Sequence, residues 1–136
     1  MTRRLAALAL ASCAHAAAGP PGFGLSKSSA AEVCLPPGEA AWLGKLLCED
    51  GSRPRLTRVG NAGTRMQPVD PNDPRLLLQM DAELPIKRGE ADLHIIEAVE
   101  AECGSQKYTI YIDEYHCPAQ GQPPPPLPPP PDHFKM

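Results

Sequence analysis

The sequence predicts an α+β fold: one short helix packed on a small antiparallel sheet that ends in a C-terminal β-hairpin. Three observations support this prediction: an apolar pattern with helical spacing in residues 39–47, two strand-forming segments around residues 104–106, and four cysteines within residues 32–118. A domain of this size buries only a modest core, so we expect two disulfides to hold the helix and the hairpin together.

The predicted helix occupies residues 39–47. In this segment Ala40, Leu43 and Leu47 fall on one face of a helix. Trp42 and Leu46 lie beside that face. The preceding residues 34–38 contain two prolines and a glycine and are expected to form the turn that opens the helix.

The hairpin is predicted from residues 93–103 and 107–117, which flank a turn at 104–106. The second arm is rich in strand-forming residues, whereas the first also fits one side of a helix, and we favour a strand. An arginine-rich strand near 55–59 is expected beside this acidic hairpin, because opposite charges across strands are mildly favourable. Residues 75–84 fit a buried strand or a short helix equally well.

Four cysteines, Cys34, Cys48, Cys103 and Cys117, are expected to form the two disulfides. In the hairpin Cys103 lies beside the turn, and Cys117 lies roughly 30 Å away at about 3.3 Å per residue. A disulfide requires Cα atoms within about 7 Å. Bonds from Cys103 to Cys117 and from Cys34 to Cys48 are therefore excluded, and both bonds must join the helix segment to the hairpin in a pairing that stays open.

Residues 1–18 have the three parts of a secretory signal peptide. Arg3 and Arg4 supply the positive start, residues 5–11 the apolar run, and residues 14–16 a small-x-small cleavage site. The chain is therefore expected to be exported to an oxidising compartment. Removal or modification of one cysteine in this segment would leave an even number for the disulfides.

Within the signal segment, Leu10-Ala11-Ser12-Cys13 resembles the lipobox of bacterial lipoproteins. The resemblance implies that Cys13 is diacylated on sulfur and becomes the new N-terminus, and two acyl chains give lasting membrane attachment. The expected location is then the periplasm or the outer membrane. The alternative is ordinary cleavage after Ala16 or Ala18, which gives a secreted protein.

The remaining chain divides into three parts. Residues 19–31 are predicted to be a flexible tether, residues 32–118 a disulfide-stapled domain, and residues 119–136 a proline-rich tail. The prolines of residues 123–131 require an extended polyproline II conformation. We expect this tail to be a spacer or a solvated end rather than a ligand for a proline-reading module.

His94, Glu114 and His116 form the nearest approach to a catalytic set in the sequence. Two histidines and a carboxylate can bind zinc and activate water, and on a strand Glu114 and His116 would share a face while Asp113 points away. The chain lacks an HExxH spacing and a G-x-S-x-G nucleophile turn. Solvated polar residues are therefore the favoured interpretation, and no cofactor is predicted.

These observations favour a non-catalytic envelope or secreted protein that acts as a binding or interaction module. Its partner is an unknown protein or envelope component, and the formal net charge of −3 argues against nucleic acid. Two alternatives stay open: a small metal-assisted hydrolase that uses His94, Glu114 and His116, and a secreted inhibitor or effector.

Overall fold

The structure is a computed structural model that describes residues 19, 22–68, 70–118 and 121–129. The predicted signal peptide, the lipobox-like motif with Cys13 and the last residues of the tail lie outside the described residues. Both expectations about the N-terminus therefore stay predictions.

Four strands form one sheet in the order β1-β4-β3-β2. Strands β2 (Arg55–Thr64), β3 (Ile95–Cys103) and β4 (Gln106–Asp113) pair in antiparallel fashion, and β1 (Ala31–Glu32) joins β4 in parallel. The α+β class, the helix on the sheet and the C-terminal hairpin are confirmed. The sheet is mixed rather than wholly antiparallel, because β1 enters it from a segment that the sequence pattern did not assign to a strand.

The hairpin of β3 and β4 turns at Gly104 and Ser105, because Cys103 pairs directly with Gln106. Gly104 adopts a φ of 59°, the left-handed conformation that tight two-residue hairpin turns require. The first arm is a strand, as favoured from its sequence, and not a helix.

The arginine-rich strand lies beside the acidic hairpin as predicted, although β2 extends beyond residue 59 to Thr64. Arg55 pairs with Glu102 across the sheet, and Arg58 Nη1 lies 2.7 Å from Glu97 Oε1. Both arginine side chains are mainly exposed, so these ion pairs contribute little to stability and act chiefly on strand register.

Helix α1 (Leu35–Leu43) begins four residues before the predicted segment and ends at Gly44. Pro36 and Pro37 occupy its first turn, where the backbone N–H groups have no partner within the helix and proline is tolerated. Of the apolar side chains predicted for this segment, Trp42 and Leu46 are buried and Leu43 packs against the core, whereas Ala40 and Leu47 are exposed. The helix also buries Glu39, which the apolar pattern did not predict.

Helix α2 (Arg75–Leu78) resolves the alternative left open for residues 75–84 in favour of a short helix. It exposes its apolar side chains: Leu77 is 77% and Leu78 60% accessible. Within the described residues, neither α1 nor α2 is long and apolar enough to cross a bilayer.

The core fills the space between α1 and the sheet. Trp42 from α1 packs with buried side chains of the sheet and its flanks, and a tail residue joins them: Ala31, Val33, Leu46, Val99, Ala101, Ile110, Ile112 and Leu127. The last residue of that set shows that the core extends beyond the predicted stapled domain.

Two disulfides join the ends of α1 to the hairpin. Cys34, directly before α1, bonds Cys117 beyond β4, and Cys48, after α1, bonds Cys103 at the hairpin turn. This confirms the prediction that both bonds join the helix segment to the hairpin, and it supplies the pairing that the sequence left open.

Residues 22–31, which the sequence pattern assigns to a tether, lie against the folded domain. The Tyr111 N–H donates to Gly24 O at 2.7 Å, and the Phe23 ring meets Trp42 edge-on with ring centroids 6.3 Å apart. Phe23 and Leu25 pack against the core, and burial of their apolar side chains stabilises the contact of this glycine- and serine-rich segment with the domain.

Candidate functional site

A buried ion pair lies where β3 begins and β4 ends. His94 directly precedes β3 and Asp113 is the last residue of β4, so the two adjacent strands bring these side chains together. His94 Nδ1 lies 2.7 Å from Asp113 Oδ2, and the side chains are only 2% and 0% exposed. Such a pair is stable in the interior only when its remaining polar atoms also have partners.

Arg65 supplies the main partner of this pair. Its backbone N–H donates to His94 O at 2.8 Å, which places its guanidinium beside the buried carboxylate. The guanidinium lies 3.0 Å from Asp113, 3.1 Å from Asp92 and 3.6 Å from Glu32. Three carboxylates therefore surround one guanidinium that is 11% exposed.

The charges of this network shift the pKa values of its members in opposite directions. Burial disfavours the charged form of His94, but the hydrogen bond to Asp113 and the charges of Asp113 and Asp92 outweigh it and raise the pKa of His94. Burial likewise opposes the charge of Asp113, yet the hydrogen bonds from His94 and Arg65 hold its pKa below the usual value. Both shifts favour the ionised pair.

The second ring nitrogen of His94, Nε2, differs from Nδ1 in its hydrogen bonding. Among the described residues, His94 Nε2 is buried and has no hydrogen-bond partner. A cleft of about 370 Å³ lies beside His94 and His116 and is lined also by Glu83, Tyr115 and Cys117. One nitrogen of each histidine and a carboxylate oxygen of Asp113 lie within 4.8 Å of one another. We call His94, Asp113 and His116 the histidine cluster.

The structure brings together only part of the predicted set of His94, Glu114 and His116. The two histidines are neighbours, with ring centroids 6.0 Å apart, but Asp113 joins them instead of Glu114. Strand alternation fails here because β4 ends at Asp113 and the chain turns at the next residue, as the bond from the Tyr115 N–H to Asp113 Oδ1 shows. Asp113 could have been identified only from the residue at which β4 ends, because the chain changes direction there.

Glu114 belongs instead to a cluster of carboxylates with Glu39 and Glu97. Arg58 bridges two of them, at 3.0 Å from Glu39 Oε1 and 2.7 Å from Glu97 Oε1. Burial raises the pKa of Glu39 to about 7, and Glu114 adds to this effect through a hydrogen bond and through its charge. Arg58 opposes the shift but does not cancel it. We call Glu39, Glu97 and Glu114 the carboxyl cluster.

Residues 121–129 of the tail lie along α1 and the adjoining chain. The indole N–H of Trp42 donates to Gln122 O at 2.9 Å, and the Leu127 N–H donates to Leu47 O at 2.9 Å. The Tyr108 hydroxyl donates to Pro128 O, and Leu127 is 4% exposed. The described part of the tail is therefore docked rather than solvated, contrary to the expectation from its composition.

We call the surface that holds the tail the tail groove; its contacts come from Trp42, Leu47 and Tyr108. An open cavity of about 450 Å³ adjoins Trp42 and the first docked residues, and Val33, Gly38 and Lys45 also line it. The sequence analysis did not predict this groove. The chain has few aromatic residues, a single tryptophan and a polyproline segment, and proline-rich segments bind to grooves lined by aromatic side chains. That combination could have indicated the groove.

Comparison with protein-family models, with curated proteins and with solved structures found no match to this chain. Three features of the described structure bear on function: the tail groove, the histidine cluster and the carboxyl cluster. Of these three, only the tail groove holds a described segment of the tail.

Proposed function

We propose that the protein is an exported, non-catalytic binding module that holds extended proline-rich segments in the tail groove. The observation that carries this proposal is the docked tail, whose carbonyl groups accept hydrogen bonds from the Trp42 indole and the Tyr108 hydroxyl. The tail is the resident ligand of the groove. A partner with a similar segment would compete for the same side chains.

Two general properties of polyproline II segments explain how the groove could bind them. A polyproline II segment makes no internal hydrogen bonds, so its carbonyl groups are free to accept bonds from aromatic donors. It is also extended before binding, which reduces the conformational entropy lost on docking. The buried Leu127 adds an apolar anchor at the far end of the docked segment.

The energies suit a displaceable ligand. Burying one leucine side chain contributes about 1.5–3 kcal/mol, and each hydrogen bond contributes about 1 kcal/mol. Within one chain these contacts suffice because the tail is always nearby. Between separate molecules the loss of translational and rotational freedom offsets much of this energy, so a single segment should bind weakly.

The disulfides indicate an oxidising, non-cytoplasmic environment. Within that environment we propose a periplasmic or outer-membrane lipoprotein anchored through Cys13, or a secreted protein after cleavage behind Ala16 or Ala18. Intact mass spectrometry of protein from its native host distinguishes these outcomes. A diacylated chain that begins at Cys13 supports the anchored form, whereas an uncleaved chain with free thiols would rule out export.

A chain shortened to end at Pro118 retains both disulfides but leaves Trp42 without the tail. Because Trp42 is the only tryptophan, its fluorescence reports the groove directly. We expect the emission of the shortened chain to shift to longer wavelength. A synthetic peptide of residues 119–136 should reverse the shift with a dissociation constant of about 0.1–1 mM.

The control peptide carries Leu127→Glu, which places a charge at the buried anchor position and should not reverse the shift. If the shortened chain does not fold, Leu127→Glu in the full chain should release the tail and produce the same red shift. The proposal fails if the natural peptide has no effect on a folded shortened chain, because the tail would then be only part of the folded core.

A further inference from the structure

We infer that the histidine cluster binds a divalent transition-metal ion, with His94 Nε2 and His116 as its protein ligands. This site is separate from the tail groove, and the inference does not depend on the proposed function. Three features of the cluster support it: a buried nitrogen without a partner among the described residues, a second histidine beside the His94 ring, and a surplus of negative charge around both.

The unpartnered atom is His94 Nε2. The side chain of His94 is 2% exposed, and within the described part of the chain nothing hydrogen-bonds to this nitrogen. Buried polar atoms in native proteins nearly always have a partner, and an unsatisfied one costs about 1–3 kcal/mol. This nitrogen therefore needs a partner that the described protein atoms do not supply.

The opposite side of the His94 ring is arranged as in many metal sites. Nδ1 lies 2.7 Å from the Asp113 carboxylate, which in turn lies 3.0 Å from Arg65. A carboxylate on one imidazole nitrogen fixes the tautomer and the ring orientation and makes the other nitrogen a better metal ligand. Asp113 therefore acts as a positioning residue for His94.

His116 supplies the second ligand. Its Nε2 lies 3.5 Å from Glu32 Oε2, so a carboxylate also orients this ring. The side chain is 40% exposed, which gives an ion a route from solvent into the cleft. Glu83 lines the same cleft and can add an oxygen ligand, and water can complete the coordination shell.

The charge balance favours a cation. Glu32, Asp92 and Asp113 place three carboxylates around Arg65 and His94. Arg65 and the protonated His94 offset two of these charges, and a metal ion at His94 Nε2 replaces the proton on that nitrogen. Imidazole nitrogens with a carboxylate suit Zn²⁺ better than Ca²⁺ or Mg²⁺, which prefer oxygen ligands. The site therefore fits a zinc-like ion.

The test is titration of the oxidised full chain with ZnCl₂ by isothermal calorimetry near pH 7.5, after treatment with a chelator. We expect one ion per chain. His116→Ala should weaken binding by at least tenfold, and Glu32→Gln should weaken it by about tenfold because it removes an orienting carboxylate. The exposed Glu49 provides the control, since Glu49→Gln should bind zinc like the unmodified chain.

A second measurement avoids variants of His94, whose ring is buried in the ion pair with Asp113. Two-dimensional ¹H–¹⁵N spectra of the imidazoles should show zinc shifting the His94 Nε2 resonance and not Nδ1. The chain that ends at Pro118 should bind zinc equally well, which separates this inference from the tail groove. Absence of binding, or unchanged affinity in His116→Ala, would overturn the inference.

Discussion

Replacing Glu39 by glutamine is expected to stabilise the folded protein by about 3 kcal/mol at pH 8 and to have little effect below pH 4.5. Glu39 is buried on α1, with a side chain that is 3% exposed. Burial and the neighbouring Glu114 raise its pKa from 4.5 to about 7. A buried carboxylate beside a second carboxylate is thus unfavourable at neutral and alkaline pH.

The sign of the effect follows from proton linkage. The pKa of Glu39 is higher in the folded than in the unfolded chain, so the folded chain binds more protons between pH 4.5 and 7. Its contribution to stability is fully present below pH 4.5 and is lost as the pH rises through 7. Glutamine remains neutral, accepts from Arg58 and donates to Glu114 as the protonated acid does.

Urea unfolding of the natural chain and of Glu39→Gln at several pH values between 4 and 8.5 measures this difference. The exposed Glu49 again serves as the control, because Glu49→Gln should change stability by less than about 0.5 kcal/mol at every pH. A Glu39→Gln effect that is the same at all pH values would show that the pKa of Glu39 is equal in the folded and unfolded chains and is therefore not raised.

The features predicted well from the sequence depend on local pattern or on simple geometry. The hairpin follows from strand-forming residues around Gly104, and the helix-to-hairpin disulfides follow from the distance between Cys103 and Cys117 along a strand. In β2, Arg55 lies opposite Glu102, and Arg58 lies opposite Val99 and reaches Glu97 diagonally, so the arginine-rich strand does lie beside acids of β3. In each case nearby residues or chain length were sufficient.

The features that the sequence did not reveal depend on contacts between distant segments. Nothing in a polyproline composition states that Leu127 enters the core or that Trp42 donates to the tail, since both contacts join residues about 80 positions apart. The helix start was misplaced because residues 34–38 fit a turn as well as a first helical turn with prolines.

The sequence predicts the two histidines of the histidine cluster but not its carboxylate, Asp113. Both histidines were identified by residue type, but their carboxylate partner depends on where β4 stops. Alternation of side chains holds only inside a strand, and one residue beyond its end the chain turns. The sequence pattern does not single out Arg65, because its carboxylate partners come from three other segments of the chain.

Removal of the Cys34–Cys117 disulfide is expected to lower the free energy of unfolding by about 2–5 kcal/mol. The bond links residues that are 83 positions apart, and the chain-entropy model gives about 4.5 kcal/mol for a loop of this length. Replacing both cysteines by serine avoids a free thiol. For a domain with so small a core, this loss is a large fraction of the total stability.

The Cys48–Cys103 bond is the matched control, because it closes a loop of similar entropy at the other end of α1, with a separation of 55 residues. The two losses should differ in one respect. Cys117 follows His116 directly, so removing the Cys34–Cys117 bond should free the segment that carries this ligand and weaken zinc binding as well as stability.

Removing Cys48–Cys103 should lower stability by a similar amount, about 4 kcal/mol in the same model, yet leave zinc affinity nearly unchanged in the folded fraction. Urea unfolding and zinc calorimetry on both double variants provide the measurements. Equal loss of zinc affinity in the two variants would mean that the disulfides act on the site only through global stability. Selective loss in the first would assign the Cys34–Cys117 bond a local role, since it holds the end of the hairpin against the start of α1 and so keeps His116 beside His94.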